Sequence, residues 1–519
     1  MLTSTNACEH QCVRDFGKVV NMRKSSCAFV LALFMAAAHV AQAGTAREFC
    51  LRGEFDLGVR YQGLRPAAGE FYPTRWCVVT EDASERVRFS AAGHSNPDMD
   101  GSWMVAFLPP DTVRIVNAAS PPDIDFVGAN SLAEARRNRR IDPIQLVREL
   151  AANPGWTKAA AAGWREVTYP DEKVAAQVRL ENGRLHALKT TAELPLRGRV
   201  PVEWQWKWSD PQHPELALLV DGKLLFRARG EWRDVGSAEV EQMWAPTPGA
   251  EPRNIPGSRW PAHVDMQLVA LTDGVYVIRN VRTGFHHLVV DTAEGLIVAD
   301  APAGWAELHQ VPPAELVPGL AISGLSERLI DFLAAKLGQR PVRAVALTHA
   351  HDDHAGGARA FAAAGAAIYA PASVATFLET SLNRDSMPAD RLSRDGRRVA
   401  VAAIAADTTL ADEKRPVQLM HLPKGPHVEA ALGVYLPMQS YFFQSDLHVP
   451  HGEANEPPLE RARTECWFAR WAVGHLPSHV KIINTHSSAE TPVARLARYL
   501  ESDICRRVDG QQANEQRSR

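Results

Sequence analysis

Between residues 48 and 244 apolar and polar side chains alternate in short runs broken by Gly, Pro, Asn and Asp. That is the pattern of antiparallel strands with one buried face. Residues 174–180, 185–191 and 216–220 read as strands. Asn182-Gly183 and Asp221-Gly222 stand at their ends, where a two-residue hairpin turn needs positive φ at both positions. Trp204, Trp206 and Trp208 alternate and so share one strand face, which packing explains better than a ligand groove. Helical spacing interrupts the strands only at 131–139 and 143–152. The N-terminal half is therefore expected to be β-rich.

A proline- and glycine-dense stretch from Ala245 through Pro252, Pro256 and Pro261 follows, and is expected to be a linker without regular structure. Beyond it the texture changes. Residues 274–278, 287–290 and 295–300 read as strands, the last buried on both faces. Then 325–337 reads as helix, 342–347 as strand, 356–364 as helix and 367–369 as strand. Strands alternating with helices imply an α/β layered architecture. No internal repeat and no phosphate-binding glycine loop is present in the sequence.

A chain of 519 residues exceeds one ordinary core, and two folded domains are the expectation. The boundaries read as a signal region over 1–43, a β-rich domain over 44–244, a linker over 245–263, an α/β domain over 264–505 and a polar tail over 506–519. A hydrophobic share of 45%, a charged share of 23% and a net charge of −3 describe a globular protein with no global field for nucleic acid. The basic run at Arg136, Arg137, Arg139 and Arg140 reads as the solvated face of a helix.

Met22-Arg23-Lys24, the apolar stretch 28–38 and Ala41-Gln42-Ala43 form the three parts of a secretory signal. Export to the periplasm, with cleavage leaving Gly44 first, is the expectation, and the stretch is too short for a stable membrane span. Cys50, Cys77, Cys466 and Cys505 remain after cleavage. Three pairings are open to four cysteines in an oxidising compartment, and sequence proximity favours Cys50 with Cys77 and Cys466 with Cys505.

The strand at 342–347 runs into Thr348-His349-Ala350-His351-Asp352-Asp353-His354-Ala355-Gly356-Gly357. Packing does not explain three imidazoles and two carboxylates within six residues, because charge crowded at a strand end costs stability unless a cation balances it. Imidazole nitrogens and carboxylate oxygens suit a divalent ion, zinc foremost. The glycines let the chain turn into the next helix.

This motif resembles the His-x-His-x-Asp-His hallmark of the metallo-β-lactamase fold superfamily, and later residues match in order over about 264–500. His427 is similar to the third histidine of the first metal, Asp446 to the aspartate bridging both metals, and His486 to the last histidine of the second. Asp300 matches an early aspartate behind the ligands. The resemblance implies a C-terminal αββα sandwich following the β-rich domain. It also implies two Zn2+ ions, with iron or manganese as alternatives: His349, His351 and His427 on one, Asp353, His354 and His486 on the other, Asp446 between.

A hydroxide bridging such ions would attack an ester, lactone or related bond of a small-molecule substrate, with Asp353 orienting the nucleophile or relaying its proton. Asp446 stands where several β-lactamases of the superfamily carry cysteine or serine, so β-lactam hydrolysis is a secondary expectation. A mononuclear-iron persulfide dioxygenase shares the histidine cluster and is the redox alternative. A third is a non-catalytic chain whose β-rich half binds a protein partner. His286, His287, His421, His448, His451, His475 and His479 match no ligand position and read as structural or substrate-lining.

Overall fold

The computed structural model describes residues 46–60, 62, 64, 71–81, 85–93, 103–109, 112–117, 124–127, 131–170, 175–245, 251–254, 266–282, 285–303, 320–387, 389–410, 415–450, 454–458 and 461–517. The signal region and its cleavage site lie outside them. The strand Ala46–Asp56 stands at the middle of a fourteen-stranded sheet, between Phe71–Glu81 and Lys223–Val235. From one side the sheet continues in chain order to Ile124–Val127. From the other it runs backward through Glu215–Val220, Gly198–Lys207, Arg184–Leu194 and Ala176–Glu181 to Thr157–Ala159.

The hairpins form where the turn chemistry predicts. Asn182 and Gly183 have φ of 51° and 74°, and Asp221 and Gly222 of 52° and 72°. Positive φ at both central residues twists the turn in the sense that the flanking strands need. Trp204 and Trp206 are buried in the core beneath this sheet, and Trp208 stacks on Trp232 with ring centroids 6.2 Å apart.

Two expectations for this half are corrected. The basic run is not a solvated face, because Arg137 and Arg140 are buried. Arg140 donates from Nε and Nη2 to the two carboxylate oxygens of Glu149 at 2.7 and 2.8 Å, and its guanidinium lies 3.8 Å from the Tyr169 ring centroid. A bidentate partner and an aromatic face offset the desolvation that makes buried arginine rare. The proline-rich stretch also contains structure: Glu251–Asn254 is a strand running parallel to Ile124–Val127 at the sheet's end. Pro252 is tolerated because an edge position leaves one side of the strand unpaired.

The C-terminal half is a four-layer sandwich. A seven-stranded sheet contains Gln267–Thr272, Val275–Arg282, Phe285–Thr292, Gly295–Ala299, Val342–Ala346, Ala367–Pro371 and Val401–Ile404 in that order. A six-stranded sheet runs from Thr408–Leu410 through Val417–Leu422, Ala431–Leu436, Tyr441–Phe443 and Lys481–Ile483 to Thr491–Pro492. Val277, Leu288, Ile297 and Ala344 of the first pack with Leu419, Leu432, Val434 and Phe443 of the second. Helices cover the outer faces: Leu325–Leu337, Ala358–Ala363 and Ala372–Leu382 on one, Ala462–His475 and Val493–Leu500 on the other. Burial on both faces is why Gly295–Ala299 has no polar position.

Cys50 pairs with Cys77 across adjacent strands, and Cys466 with Cys505 between Ala462–His475 and Asp503–Arg517. That last helix occupies most of the segment read as a polar tail, and it inserts Val508 into the neighbouring core.

The two halves are not independent. The turn between Arg184–Leu194 and Gly198–Lys207 carries Leu196, at φ 60°, into the core beneath the seven-stranded sheet. Arg199 N donates to the Ser386 carbonyl at 2.6 Å, and Ser386 Oγ donates to the Arg197 carbonyl at 2.7 Å. Gly198, at φ 73°, is required there, since a Cβ would collide with the Ser386 backbone. Residues 46–519 accordingly form one compact unit.

Candidate metal centre

Strand ends of both sheets meet at one rim of the sandwich. Val342–Ala346 lies parallel to Gly295–Ala299 and Ala367–Pro371, so its carboxyl end delivers His349 and His351 beside Asp300. His351 then caps the short helix Asp352–Ala355, which carries Asp353 and His354. Gly356 and Gly357 complete the turn, and neither can bear a side chain. A Cβ at Gly356 would meet the Asp352 carbonyl and the Pro195 side chain, and one at Gly357 the Pro302 carbonyl and Ser326 Oγ. In the second sheet His427 follows Val417–Leu422, Asp446 follows Tyr441–Phe443, and His486 follows Lys481–Ile483.

The structure brings six of the seven expected ligands into two sets that share Asp446. His349, His351, His427 and Asp446 place ligand atoms within 4.8 Å of one another, and so do His354, Asp446 and His486. The carboxylate of Asp446 divides between them. Its Oδ2 lies 3.2 Å from His427 Nε2 and 3.7 Å from His349 Nε2, and its Oδ1 lies 2.8 Å from His486 Nε2 and 3.2 Å from His354 Nε2. Asp353 stands at the edge, 3.5 Å from His354 Nε2, with its side chain about one-quarter exposed.

Polar groups behind the imidazoles set their direction. Asp300 accepts from the Thr348 amide at 2.7 Å with Oδ1 and holds His354 Nδ1 at 2.9 Å with Oδ2. A proton is thereby fixed on Nδ1, and Nε2 is left as the atom that faces the centre. His349 Nδ1 lies 3.1 Å from Thr348 Oγ1 and 3.0 Å from Ser445 Oγ, the hydroxyls being 2.8 Å apart. His349 Nε2 and His354 Nε2 are buried without a hydrogen-bond partner, although carboxylate oxygens lie near both. Imidazole nitrogens and carboxylate oxygens gathered within 4.8 Å of one another are what a divalent cation fits.

The electrostatics agree. Burial holds His349 well below the ordinary imidazole range, with the neighbouring His354 and His351 adding to the effect. Burial and His427 push His351 down to about 3. Both are therefore neutral, the form that ligates. Burial would lower His354 too, but Asp446, Asp353 and Asp300 outweigh it and raise it well above its usual value. Burial pushes the Asp446 carboxyl up, yet His354 and His486 prevail and hold it well below the carboxylate range. These carboxylates thus draw positive charge to the point that His354 Nε2 faces.

Sequence reading missed two contributors, Ser445 and Phe285. Ser445 was hidden because a serine beside an aspartate carries no signal of its own. Phe285 packs edge-on against His486, centroids 4.6 Å apart. His287 lies fully buried behind the site with Nδ1 3.0 Å from the Ala299 carbonyl. Of the other histidines, His448 is buried against Glu465 and Thr491, and His475 bonds the Trp471 carbonyl at 2.7 Å. His451 lies outside the described residues.

Residues 318–488 match the family model described as the metallo-beta-lactamase superfamily. Among solved structures, similarity extends to a metallo-beta-lactamase from Pontibacter korlensis, at 18% identity over 46% of this chain and 97% of that one, with a TM-score of 0.32. A second, from Hirschia baltica, is 15% identical over 46% and 97%, at 0.30. A third, from Pseudomonas aeruginosa in a mono-zinc form, is 16% identical over 48% and 96%, at 0.30. The search of curated proteins returned no significant match.

Proposed function

We propose, proceeding from the membership of residues 318–488 in the metallo-beta-lactamase superfamily, that the chain is an exported hydrolase working with two divalent ions. The observation that carries this reading is the division of Asp446, with one carboxylate oxygen facing each histidine set. His349, His351 and His427 would hold one ion, His354 and His486 with Asp353 the other, and Asp446 both. The donor set of nitrogen and carboxylate oxygen suits zinc. An aspartate facing both sets favours this over a single-iron oxygenase, which needs only one.

Bound ions of this kind supply an activated water at neutral pH and a Lewis-acidic contact for the scissile oxygen. The chain does the rest. Asp300, Thr348 and Ser445 orient imidazoles, so that the ligand atoms are in place before substrate arrives. Asp353, the most exposed carboxylate of the centre, is placed to accept and return a proton. A small ester, lactone or related acyl compound is the proposed substrate class. Export is supported by the sequence over 22–43 and by four cysteines paired in two disulfides, which persist in an oxidising compartment.

The test is metal analysis of single variants. Asp446→Ala is expected to lower occupancy of both sets, His427→Ala chiefly of the first, and His486→Ala chiefly of the second. Ester and lactone turnover should fall by more than the roughly hundred-fold typical of a change behind the ligands. Retention of two ions and full turnover by Asp446→Ala would refute the two-ion hydrolase.

A further inference from the structure

The loop that presents Asp446 leaves Tyr441–Phe443 and must return to the body of the protein within a few residues. Its backbone is held from inside by Gln444, whose Oε1 accepts the Leu447 and His448 amides at 2.7 and 3.2 Å and whose Nε2 donates to the His448 carbonyl at 2.7 Å. From outside it is held by a buried ionic group at the start of Ala462–His475. Arg461 Nη2 donates to the Asp446 carbonyl at 2.5 Å, while its Nε donates to Glu465 Oε1 at 2.8 Å. Glu465, fully buried, also faces His448 Nδ1 at 3.2 Å with Oε2 and accepts the Val449 amide at 3.4 Å with Oε1. His448 Nε2 in turn meets Thr491 Oγ1 at 3.1 Å, which joins the loop to the last strand of the sheet.

Buried ions are costly, and replacing such a group with apolar side chains is often neutral or stabilising, so stability alone gives weak reason for it. Its connections give a better one. Every member touches the segment 446–449, and the guanidinium fork spans from a buried carboxylate to the backbone of the residue facing both histidine sets. Asp446 must divide its two oxygens between points only a few ångströms apart, so a small rotation of its backbone would favour one set over the other. The same loop carries Ser445, which touches His349.

We infer that Arg461 and Glu465 are positioning residues that set the Asp446 carboxylate between the two metal-binding sets. This rests on the two-ion reading above. The pair acts through the Asp446 backbone, whose carbonyl accepts from Arg461.

The experiment titrates the metal-free full-length mature chain with Co2+, following its visible absorption, for wild type, Arg461→Lys and Glu465→Gln. Lysine keeps the charge beside Glu465 but lacks the fork that reaches the Asp446 carbonyl as well. Glutamine keeps the shape of Glu465 and weakens its grip on Arg461 and His448. Each variant is expected to lose roughly ten- to hundred-fold in Co2+ affinity at both sets, with an altered ligand-field spectrum; the metal-free variants also melt earlier, because a buried charge is left less well compensated. Unchanged Co2+ affinity would overturn the inference, whether or not the metal-free protein melts earlier, because the pair would then be structural only. Loss confined to one set would overturn it too. A wild-type chain taking up one Co2+ would defeat the two-ion reading but leave the comparison at that set decisive. Uptake of none would defeat both.

Discussion

Asp300 sits at φ 66°, a backbone region that a branched or bulky residue rarely enters, and it is fully buried. The strain is tolerated because both of its carboxylate oxygens are used, one on the Thr348 amide and one on His354. Behind it, His287 is a buried imidazole away from the ligand set whose titration bears on stability. Burial pushes its imidazole down to about 4, although Asp300 and the Ala299 carbonyl pull the other way. An unfolded histidine titrates near 6.5. Between those values the unfolded chain binds the proton and the folded chain does not, so stability is lost as pH falls from about 6.5 and the loss is complete near 4. It amounts to on the order of 3 kcal/mol. His287→Leu is therefore expected to flatten the dependence of melting temperature on pH between 7 and 4. An unchanged slope would show that His287 is not the group responsible.

The turn from Pro195 to Gly198 shows what an element can do that its sequence does not announce. Its residues belong to a hairpin of the large sheet, yet Leu196 packs into the core under the seven-stranded sheet, and Pro195 abuts Gly356 of the metal motif. Leu196→Ala is expected to destabilise the protein by about 2–5 kcal/mol, as for other buried leucines, measured by urea unfolding of the metal-free chain. A change below about 0.5 kcal/mol would mean that the hairpin tip is only resting on the surface. The helices Ser131–Arg139, Pro143–Ala152 and Leu325–Leu337 have the bounds that their periodicity gives. Periodicity reports one face of one element, and these helices each have one face to bury. It could not report Glu251–Asn254, whose strand character depends on the edge of a sheet distant in sequence.

For the whole molecule, a hairpin tip from the N-terminal half completes the core of the C-terminal half, and Leu64 packs on that same core. Residues 266–519 made alone would expose this surface. They are expected to aggregate or to melt well below the intact chain, and co-production with residues 46–245 should restore solubility. A soluble, metal-binding fragment of native stability would show that the division at 245–263 is a true boundary between independent domains.

The sequence alone determined the local events. Turns at Asn182-Gly183 and Asp221-Gly222 follow from positive φ, the helices from their periodicity, and the metal cluster from a density of imidazole and carboxylate that no core tolerates without a cation. His427, Asp446 and His486 were found by resemblance, because a single histidine or aspartate after an apolar run has no distinguishing pattern. Only the tertiary structure decided which oxygen of Asp446 faces which histidines, that Ser445 turns onto His349, that Arg137 and Arg140 are buried, and that Arg461 and Glu465 stand behind the bridge. Each of these depends on distances between segments far apart in the chain. Periodicity and spacing carry no information about such distances, since these are set by how the sheets stack and where their strand ends meet.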